Sequence, residues 1–563
     1  MAWIALLPAL LTRRTLALAA VLLLGLVPPA GAQPAAPATD AVAAGATDAA
    51  AVASDVAAAP ASAPASEAKA SAPKPQKKSF LEKIAPILIL LLVVGVVLAR
   101  LPKVEGINHS PAFRRRRVMN WLSLGLAYMF LYMGRYNLTV SKKIFGTMEH
   151  TPGTPMMTNE DFALIFSIGT VVYGFSFIIN GPLTDRFGGK AAILGGTGGA
   201  LIMNALMGIA TWMLASGGTG SAFVADNFFW VFSVLYAGNM YFQSFGAVAI
   251  VKCNAPWFHV RERGVFGAIF GILISLGIYL AYDVGGMIIS SMALEWVFLI
   301  PAIGLTVLFV ACLFLVRNTP GEAGHKDFET GSADHGEALG AIAVFKLMMR
   351  NPIIVTIAFI EFCSGFLRQA IMQWYQTFAQ QTNEVLGLKA GFIDTNWGML
   401  LCCAGILGGL VAGVISDHVF QSRRGPVAAV LYGGMLVGSL ILTFAYQTAA
   451  VGWIVVVMSV CVIGVHGMLS GTASMDFGGK RNVGVAVGII DGFVYAGTAF
   501  MSGLYAIILP EARLEGGKLV GTATNPDNWL AWPLSMIPMA LIGLVLARRV
   551  WNAKPKSSSA AAH

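Results

Sequence analysis

The sequence predicts an all-α membrane protein of two six-helix halves, with twelve core transmembrane helices and one extra N-terminal transmembrane helix. Three observations lead there. The 563-residue chain is 56% hydrophobic and only 12% charged, with a mean hydropathy of +0.72, where a soluble domain carries roughly a quarter charged residues. Its apolar residues fall into runs close to the roughly 20 residues that cross a hydrocarbon core. Landmarks in the first six core runs recur in the second six at a nearly constant offset.

A chain of this length has residues enough for a large soluble core, but too little charge to cover one. Lipid requires none. The formal charge of +9 sits in short clusters between apolar runs, the pattern of the positive-inside rule and not of a nucleic-acid surface. The six cysteines (Cys253, Cys312, Cys363, Cys402, Cys403 and Cys461) lie in or beside apolar runs without CxxC spacing, as packing thiols do. No zinc, haem or iron–sulfur pattern is present, so no cofactor is expected.

The first segment, 1–32, has the layout of a secretory signal peptide: Arg13 and Arg14, an apolar stretch from Leu16 to Val27, then Ala30-Gly31-Ala32 as a cleavage site. The alternative is an uncleaved anchor. Residues 33–80 are rich in Ala, Pro and Ser and read as a disordered tether. Within 81–117, an aliphatic run from about 84 to 98 supplies the extra helix, and Arg114 to Arg117 form a basic linker held in the cytoplasm.

The core runs follow at approximately 118–140, 161–183, 191–215, 228–250, 264–287 and 294–316, making an N-terminal half of 118–316. A central cytoplasmic loop, 317–350, precedes runs at 352–377, 392–416, 426–446, 451–475, 483–509 and 530–547, a C-terminal half of 351–550 with a tail of 551–563. Helices are the open-chain element that satisfies its own backbone in lipid. Inner loops carry Arg186 and Lys190, Lys252, Arg261 and Arg263, Arg423 and Arg424, Lys480 and Arg481, Arg548 and Arg549; outer ones carry only Lys142, Lys143, Lys389, Arg513 and Lys518. This alternation places residues 33–80 in the periplasm of a bacterial inner membrane and the C-terminus in the cytoplasm.

The repeat is the strongest internal argument. Gly181-Pro-Leu-Thr-Asp185-Arg186-Phe-Gly188-Gly189-Lys190 follows the second run, and Gly413-Val-Ile-Ser-Asp417-His418, then Arg423-Arg424, follows the eighth. Glycine and aspartate each recur 232 positions later, and Arg135 of the first run recurs 233 positions later as Arg368 of the seventh. Such registration indicates two related halves. Asp185 accepts hydrogen bonds at a helix end while Gly181 admits close backbone approach. Gly181, Asp185, Arg186 and Asp417 are therefore expected to form a latch made in one conformation and broken in another. The alternative is a plain basic loop.

An arginine near mid-membrane is costly and faces a water-filled pathway. Equivalent helices bring Arg135 and Arg368 to one cavity, where guanidinium groups hold phosphate or carboxylate oxygens bidentately. Alternatively each pairs with a buried acid; Glu361, two turns before Arg368, is a candidate. His466, Glu361 and Asp491 are candidates for proton coupling, or else for helix–helix hydrogen bonds. Gly405, Gly408 and Gly409 read as tight packing.

The G-x-x-x-D-R-x-G-x-K stretch resembles the signature loop of the major facilitator superfamily. Across 118–550 the chain resembles, more specifically, the organophosphate:phosphate antiporters. The likeness rests on Tyr128, Tyr132, Arg135 and Asn137; Arg317-Asn318-Thr319-Pro320; Asp417 to Gly425; and Gly479-Lys480-Arg481 with the glycine-rich helix to Tyr495. It implies the major facilitator fold and transport of a small organic anion, a phosphate ester or carboxylate, by alternating access. It implies substrate binding by Arg135 and Arg368, with Tyr128, Tyr132, Tyr173 and Tyr495 lining the site; His466, where the family has a tyrosine, is a further substrate-binding candidate. Against the family pattern, Phe177 replaces a lysine, Ile274 a histidine, Gly365 a tyrosine and His466 a tyrosine, so the cavity is less cationic. The expected partners are a small anionic solute and membrane lipids, without nucleic acid, for a chain working as a monomer. A membrane sensor for such an anion is the alternative. No nucleophile–base arrangement and no nucleotide-binding loop is visible in the sequence, so an enzyme is not expected.

Overall fold

The computed structural model describes residue 88 and residues 109–218, 220–259, 263–328, 330, 341–389, 391–420, 423–469 and 474–552. The signal peptide, the tether, nearly all of the extra helix, residues 329 and 331–340 of the central loop and all but the first two residues of the tail lie outside them.

Twelve long helices run through the described residues: α1 Pro111–Phe145, α2 Asn159–Phe187, α3 Gly189–Ser216, α4 Phe228–Asn254, α5 Arg263–Tyr279, α6 Trp296–Leu315, α7 Pro352–Gln381, α8 Trp397–Val414, α9 Arg424–Ala445, α10 Val451–Met468, α11 Ser474–Ile508 and α12 Ala531–Arg549. α5 continues through a π-helical turn, Leu280–Val284, into a further helix, Gly285–Ser291. α8 ends in another such turn, Ile415–Val419. Among the described residues nine helices are long and apolar enough to cross a membrane; α8 is apolar but shorter, and α1 and α11 lie outside that set.

Local sequence sets several starts. Ser110 caps α1 by accepting Phe113 N–H at 3.2 Å, with Pro111 in the first turn. Thr158 and Asp161 form a capping box at α2, and Asn351 with Pro352 opens α7. α1 begins before the expected run at 118. Arg114 to Arg117 are therefore helix and not linker, with Arg117 buried over the Phe258 ring. Lys142, expected in an outer loop, is buried in the last turn of α1, its Nζ on Asn159 Oδ1.

The first six helices pack among themselves, as do the last six, and the two sets meet along two seams, α2 with α11 and α5 with α8. α1 and α7 occupy the middle: Leu131–Lys142 and Cys363–Ala379 are buried on every face. Large apolar side chains such as Phe314, Phe444 and Ile507 point outward, which a lipid solvent accepts without cost. Two small antiparallel hairpins, β1 Glu149–Thr151 with β2 Thr154–Pro155 and β3 Arg513–Glu515 with β4 Lys518–Val520, depart from the all-helical expectation. They join where Leu514 N–H donates to the Gly153 carbonyl at 3.1 Å.

Candidate functional site

The site grows from one face of α1. Tyr128, Tyr132, Arg135 and Tyr136 are spaced to lie along that face. Arg135 is 1% exposed, and all three of its nitrogens are used. Nε donates to Gln243 Oε1 at 3.0 Å, Nη1 to the Tyr495 hydroxyl at 2.5 Å, and Nη2 to the Tyr173 hydroxyl at 3.1 Å. The guanidinium carbon also lies 4.4 Å from the centre of the Tyr132 ring and 4.6 Å from that of Tyr173, inside cation–π range. Tyr495 comes from α11, so Arg135 ties the two helix sets together.

An amide network holds this arginine in place. Gln243 donates to Asn239 Oδ1 at 3.0 Å, Asn239 to the Gly134 carbonyl at 3.0 Å, and Asn204 to Asn239 Oδ1 at 3.0 Å. Tyr236 donates to the Arg135 carbonyl at 3.1 Å. Buried amides must be bonded, and here they bond one another around the charge.

Arg368 is different. It is 7% exposed, and its Nε is buried without a hydrogen-bond partner. Its electrostatic neighbours are Tyr136, Tyr495, Tyr132 and Glu361. Glu361 is instead bonded to His466, Oε2 to Nδ1 at 3.0 Å, so the direct Arg368–Glu361 pair considered from the sequence is not made. A second ladder links α1 to α7: Gln369 donates to the Tyr136 hydroxyl at 3.0 Å, Gln373 to Gln369 Oε1 at 3.2 Å, and Thr139 to Gln373 Oε1 at 3.0 Å.

The structure therefore brings Arg135, Tyr132, Tyr173 and Tyr495 together, with Arg368 beside them. Tyr128 packs edge-on against Tyr132, ring centres 5.2 Å apart. Phe177 packs likewise on Tyr173 at 5.1 Å. Asp491, one turn before Tyr495, is half-buried and is an electrostatic neighbour of Tyr173.

The expected latch residues lie apart from this cluster. Asp185 pairs with Lys252 at 2.5 Å, both largely in the open, and Arg186 lies over the Phe187 ring. A Cβ at Gly181 would meet nothing within 4 Å, so close approach is not why glycine stands there. The constrained glycines of that loop are Gly189, where a Cβ would meet Cys253 Sγ at 2.6 Å and the Cys253 nitrogen at 2.9 Å, and Gly188, with φ +86°, a conformation other residues resist. Asn318 of the Arg317-Asn318 motif sits against it and accepts Lys190 N–H at 2.9 Å. The Asp417 side chain is outside the described set. Sequence reasoning missed Gln243, Tyr136, Gln369 and Gln373. The signal was available: Tyr136 and Gln369 directly follow the two repeat arginines.

Comparison with known proteins agrees with this architecture. The family model for the Major Facilitator Superfamily matches residues 124–502. A glycerol-3-phosphate transporter of Bacillus subtilis (strain 168) is 24% identical over 483 residues, 80% of this chain and 96% of that one. The membrane sensor protein UhpC of Salmonella typhimurium is 24% identical over 412 residues, covering 68% and 83%. Among solved structures, a bacterial homologue of the lysosomal transporter Spinster, inward-facing and unoccupied, superposes with TM-score 0.54 at 13% identity, covering 80% of this chain and 100% of that one. A D-xylose–proton symporter gives TM-score 0.52 at 13% identity, covering 77% and 98%. This multi-pass membrane chain belongs to the Major Facilitator Superfamily.

Proposed function

We propose that the chain is a secondary active transporter of a small organic anion, a phosphate ester before a carboxylate, working by alternating access. Exchange against inorganic phosphate is the mode the antiporter resemblance implies. One observation carries the reading most: Arg368 is buried, charged and short of a hydrogen bond at Nε, beside tyrosines that belong to both helix sets. A fully buried guanidinium without its partners is costly, and an anionic ligand would supply them. The relatives' names, glycerol-3-phosphate, hexose phosphate and phosphoglycerate transporters, support a phosphate ester. Phe177 and Ile274 in place of the family's lysine and histidine support weaker binding of inorganic phosphate.

The proposed arrangement has twelve core spans in halves 118–316 and 351–550, each end of the core cytoplasmic. An extra span within 81–117 and a periplasmic tether, 33–80, follow a signal peptide. The monomer is the proposed working unit. The Asp185–Lys252 pair, with Gly181, Arg186 and Asp417, is proposed to sit on the cytoplasmic side and to rearrange as the halves rock.

Proteoliposomes holding the full chain and preloaded with phosphate test this. They are expected to take up labelled glycerol 3-phosphate or glucose 6-phosphate, and Phe177→Lys with Ile274→His is expected to strengthen competition by inorganic phosphate. Binding of these esters without any uptake would favour the second reading, a membrane sensor, to which the likeness to sensor protein UhpC lends support. Indifference to every anion offered would leave the arginines structural.

A further inference from the structure

Glu361 is a buried charge that anion binding alone leaves unexplained. It sits on α7, two turns before Arg368, with a side-chain exposure of 0%. Its Oε2 holds His466 Nδ1 of α10 at 3.0 Å, while Oε1 is buried with no hydrogen-bond partner. An ionised carboxylate accepts only, so Nδ1 must be the donor, and Nε2 is left as the ring's second proton site. The histidine side chain is 21% exposed, so of the two groups only the imidazole is reachable from outside the packed core.

The surrounding ionisable groups are these. α7 supplies Arg368 and the Cys363 thiol, both electrostatic neighbours of Glu361. α9 supplies Tyr432, another neighbour, whose hydroxyl donates to the Ile360 carbonyl. α10 adds Cys461, and α8 offers Cys402 and Cys403, whose charged neighbour is Asp283. α11 brings Tyr495, a neighbour of Arg368, and Asp491, a neighbour of Tyr173. α12 carries Arg548 and Arg549 in its last turn, and the short helix Ala341–Met349, packed on α7, carries Lys346.

We propose that the Glu361–His466 pair is a proton-binding site coupled to anion binding at Arg368. Among the fully buried charges of the site, leaving out half-buried Asp491, a neutral imidazole leaves Arg135 and Arg368 against Glu361 with one net positive charge. A dianionic ester turns this into one net negative charge, and a proton on Nε2 restores neutrality. Uncompensated charge is expensive away from water, so ligand and proton each raise the other's affinity by the same factor. The proton comes from bulk water and rests on the imidazole; no bond of the ligand changes. Glu361 acts as a positioning residue and counter-charge, keeping Nδ1 occupied so that the proton enters at Nε2.

This inference rests on the anion-transport reading, and calorimetry separates the two. Glycerol 3-phosphate is titrated into the detergent-purified full chain at pH about 7.5, above the ester's second ionisation near 6, in buffers of different ionisation enthalpy. The expected slope of heat against buffer enthalpy is about one proton taken up per ligand bound, falling towards zero in Glu361→Gln and His466→Phe. A flat wild-type slope overturns the proposal while leaving anion binding intact. So does a slope that survives in either variant. Should both variants fail to fold, the wild-type slope decides. Failure of the wild type to bind glycerol 3-phosphate, glucose 6-phosphate and phosphate alike removes the anion reading, and this inference with it.

Discussion

Asp283 and Glu511 perform the same task on opposite seams of the molecule. Asp283, in the π-helical turn of α5, accepts Gly398 N–H at 2.7 Å and Met399 N–H at 2.9 Å in the first turn of α8. Glu511, just past α11, accepts Asn159 N–H at 3.0 Å and Glu160 N–H at 2.7 Å in the first turn of α2. A helix N-terminus offers unpaired N–H groups and a positive dipole end, and each is met here by a carboxylate from the other helix set. In the repeat, α2 corresponds to α8 and α5 to α11, so the two caps exchange roles between halves. Both fasten the seams at the end where α1 finishes. Asn159 to Gln381, Gln380 to the Lys143 carbonyl and Lys143 to Asp394 add further ties there.

Removing the Asp283 cap should loosen that end. Loss of a helix cap costs about 0.5–2 kcal/mol, so Asp283→Ala is expected to shift the open-to-closed ratio by about 2- to 30-fold towards opening. Spin labels at positions 150 and 518, in a cysteine-free background, report it as a growing long-distance population. An unchanged distance distribution would show that Asp283 caps α8 without holding the seam.

Glu511 should respond to pH in the opposite sense from a simple salt bridge. Burial pushes its carboxyl above the usual range, against the pull of Lys142 and of the Asn159 and Glu160 N–H groups. A carboxyl whose pKa is raised in the closed form stabilises that form below its ordinary value near 4.5. That contribution is lost as pH rises through the raised value. Acidification towards 4.5 is therefore expected to favour closure, and Glu511→Gln, which keeps an acceptor and loses the charge, to mimic it at neutral pH. The same spin pair checks both. Opening on acidification would mean that the cap's charge is worth more than its burial costs.

The two arginines should fail differently. Arg135→Ala strands Gln243, Tyr173 and Tyr495, at about 1–3 kcal/mol for each buried group left unpaired. Thermal stability and transport should therefore fall together. Arg368→Ala removes no described hydrogen bond, so it is expected to keep its melting temperature while losing ligand binding by about 100-fold or more. Lysine should rescue neither well, since it lacks the planar fork. Equal thermal losses in the two alanine variants would contradict the asymmetry.

Helix existence and the repeat arginines were legible because periodicity and offset are one-dimensional signals. The spans, Arg135 and Arg368 follow from them, whereas Tyr132, Tyr173 and Tyr495 entered through the resemblance to the antiporters. Partner choice was not legible. Glu361 is near Arg368 along α7 but bonds His466 on α10, a packing decision made between helices far apart in sequence. Lys142 read as loop charge because the groups that hold it, Asn159, the Thr158 carbonyl and the Phe162 and Trp374 rings, come from other helices and a loop and carry no mark in the sequence. The Asp283 and Glu511 caps were missed because an isolated acid near a helix end carries no mark of which helix it will cap.

Gly365 shows how a departure from the family pattern changes meaning once the packing is known. In the sequence it counts only as one of four departures from the family pattern, a glycine where the family has a tyrosine. In the structure a Cβ there would overlap the Val494 carbonyl, and one at Gly497 would overlap the Phe362 carbonyl. α7 and α11 thus cross backbone to backbone, with Thr498 donating to the Gly365 carbonyl at 3.2 Å. Neither carbonyl can yield as a side chain could. Gly365→Ala is accordingly expected to cost about 1–3 kcal/mol, and Gly365→Tyr to prevent folding. The crossing lies three residues before Arg368 and one before Tyr495, so it also sets how closely the free arginine approaches the tyrosine that Arg135 holds. Transport by Gly365→Ala should fall more than its stability alone explains, measured as uptake per folded molecule in proteoliposomes. Wild-type uptake and an unchanged melting temperature would mean that α7 and α11 can separate without disturbing the site, and the glycine would then have no structural reason to be there.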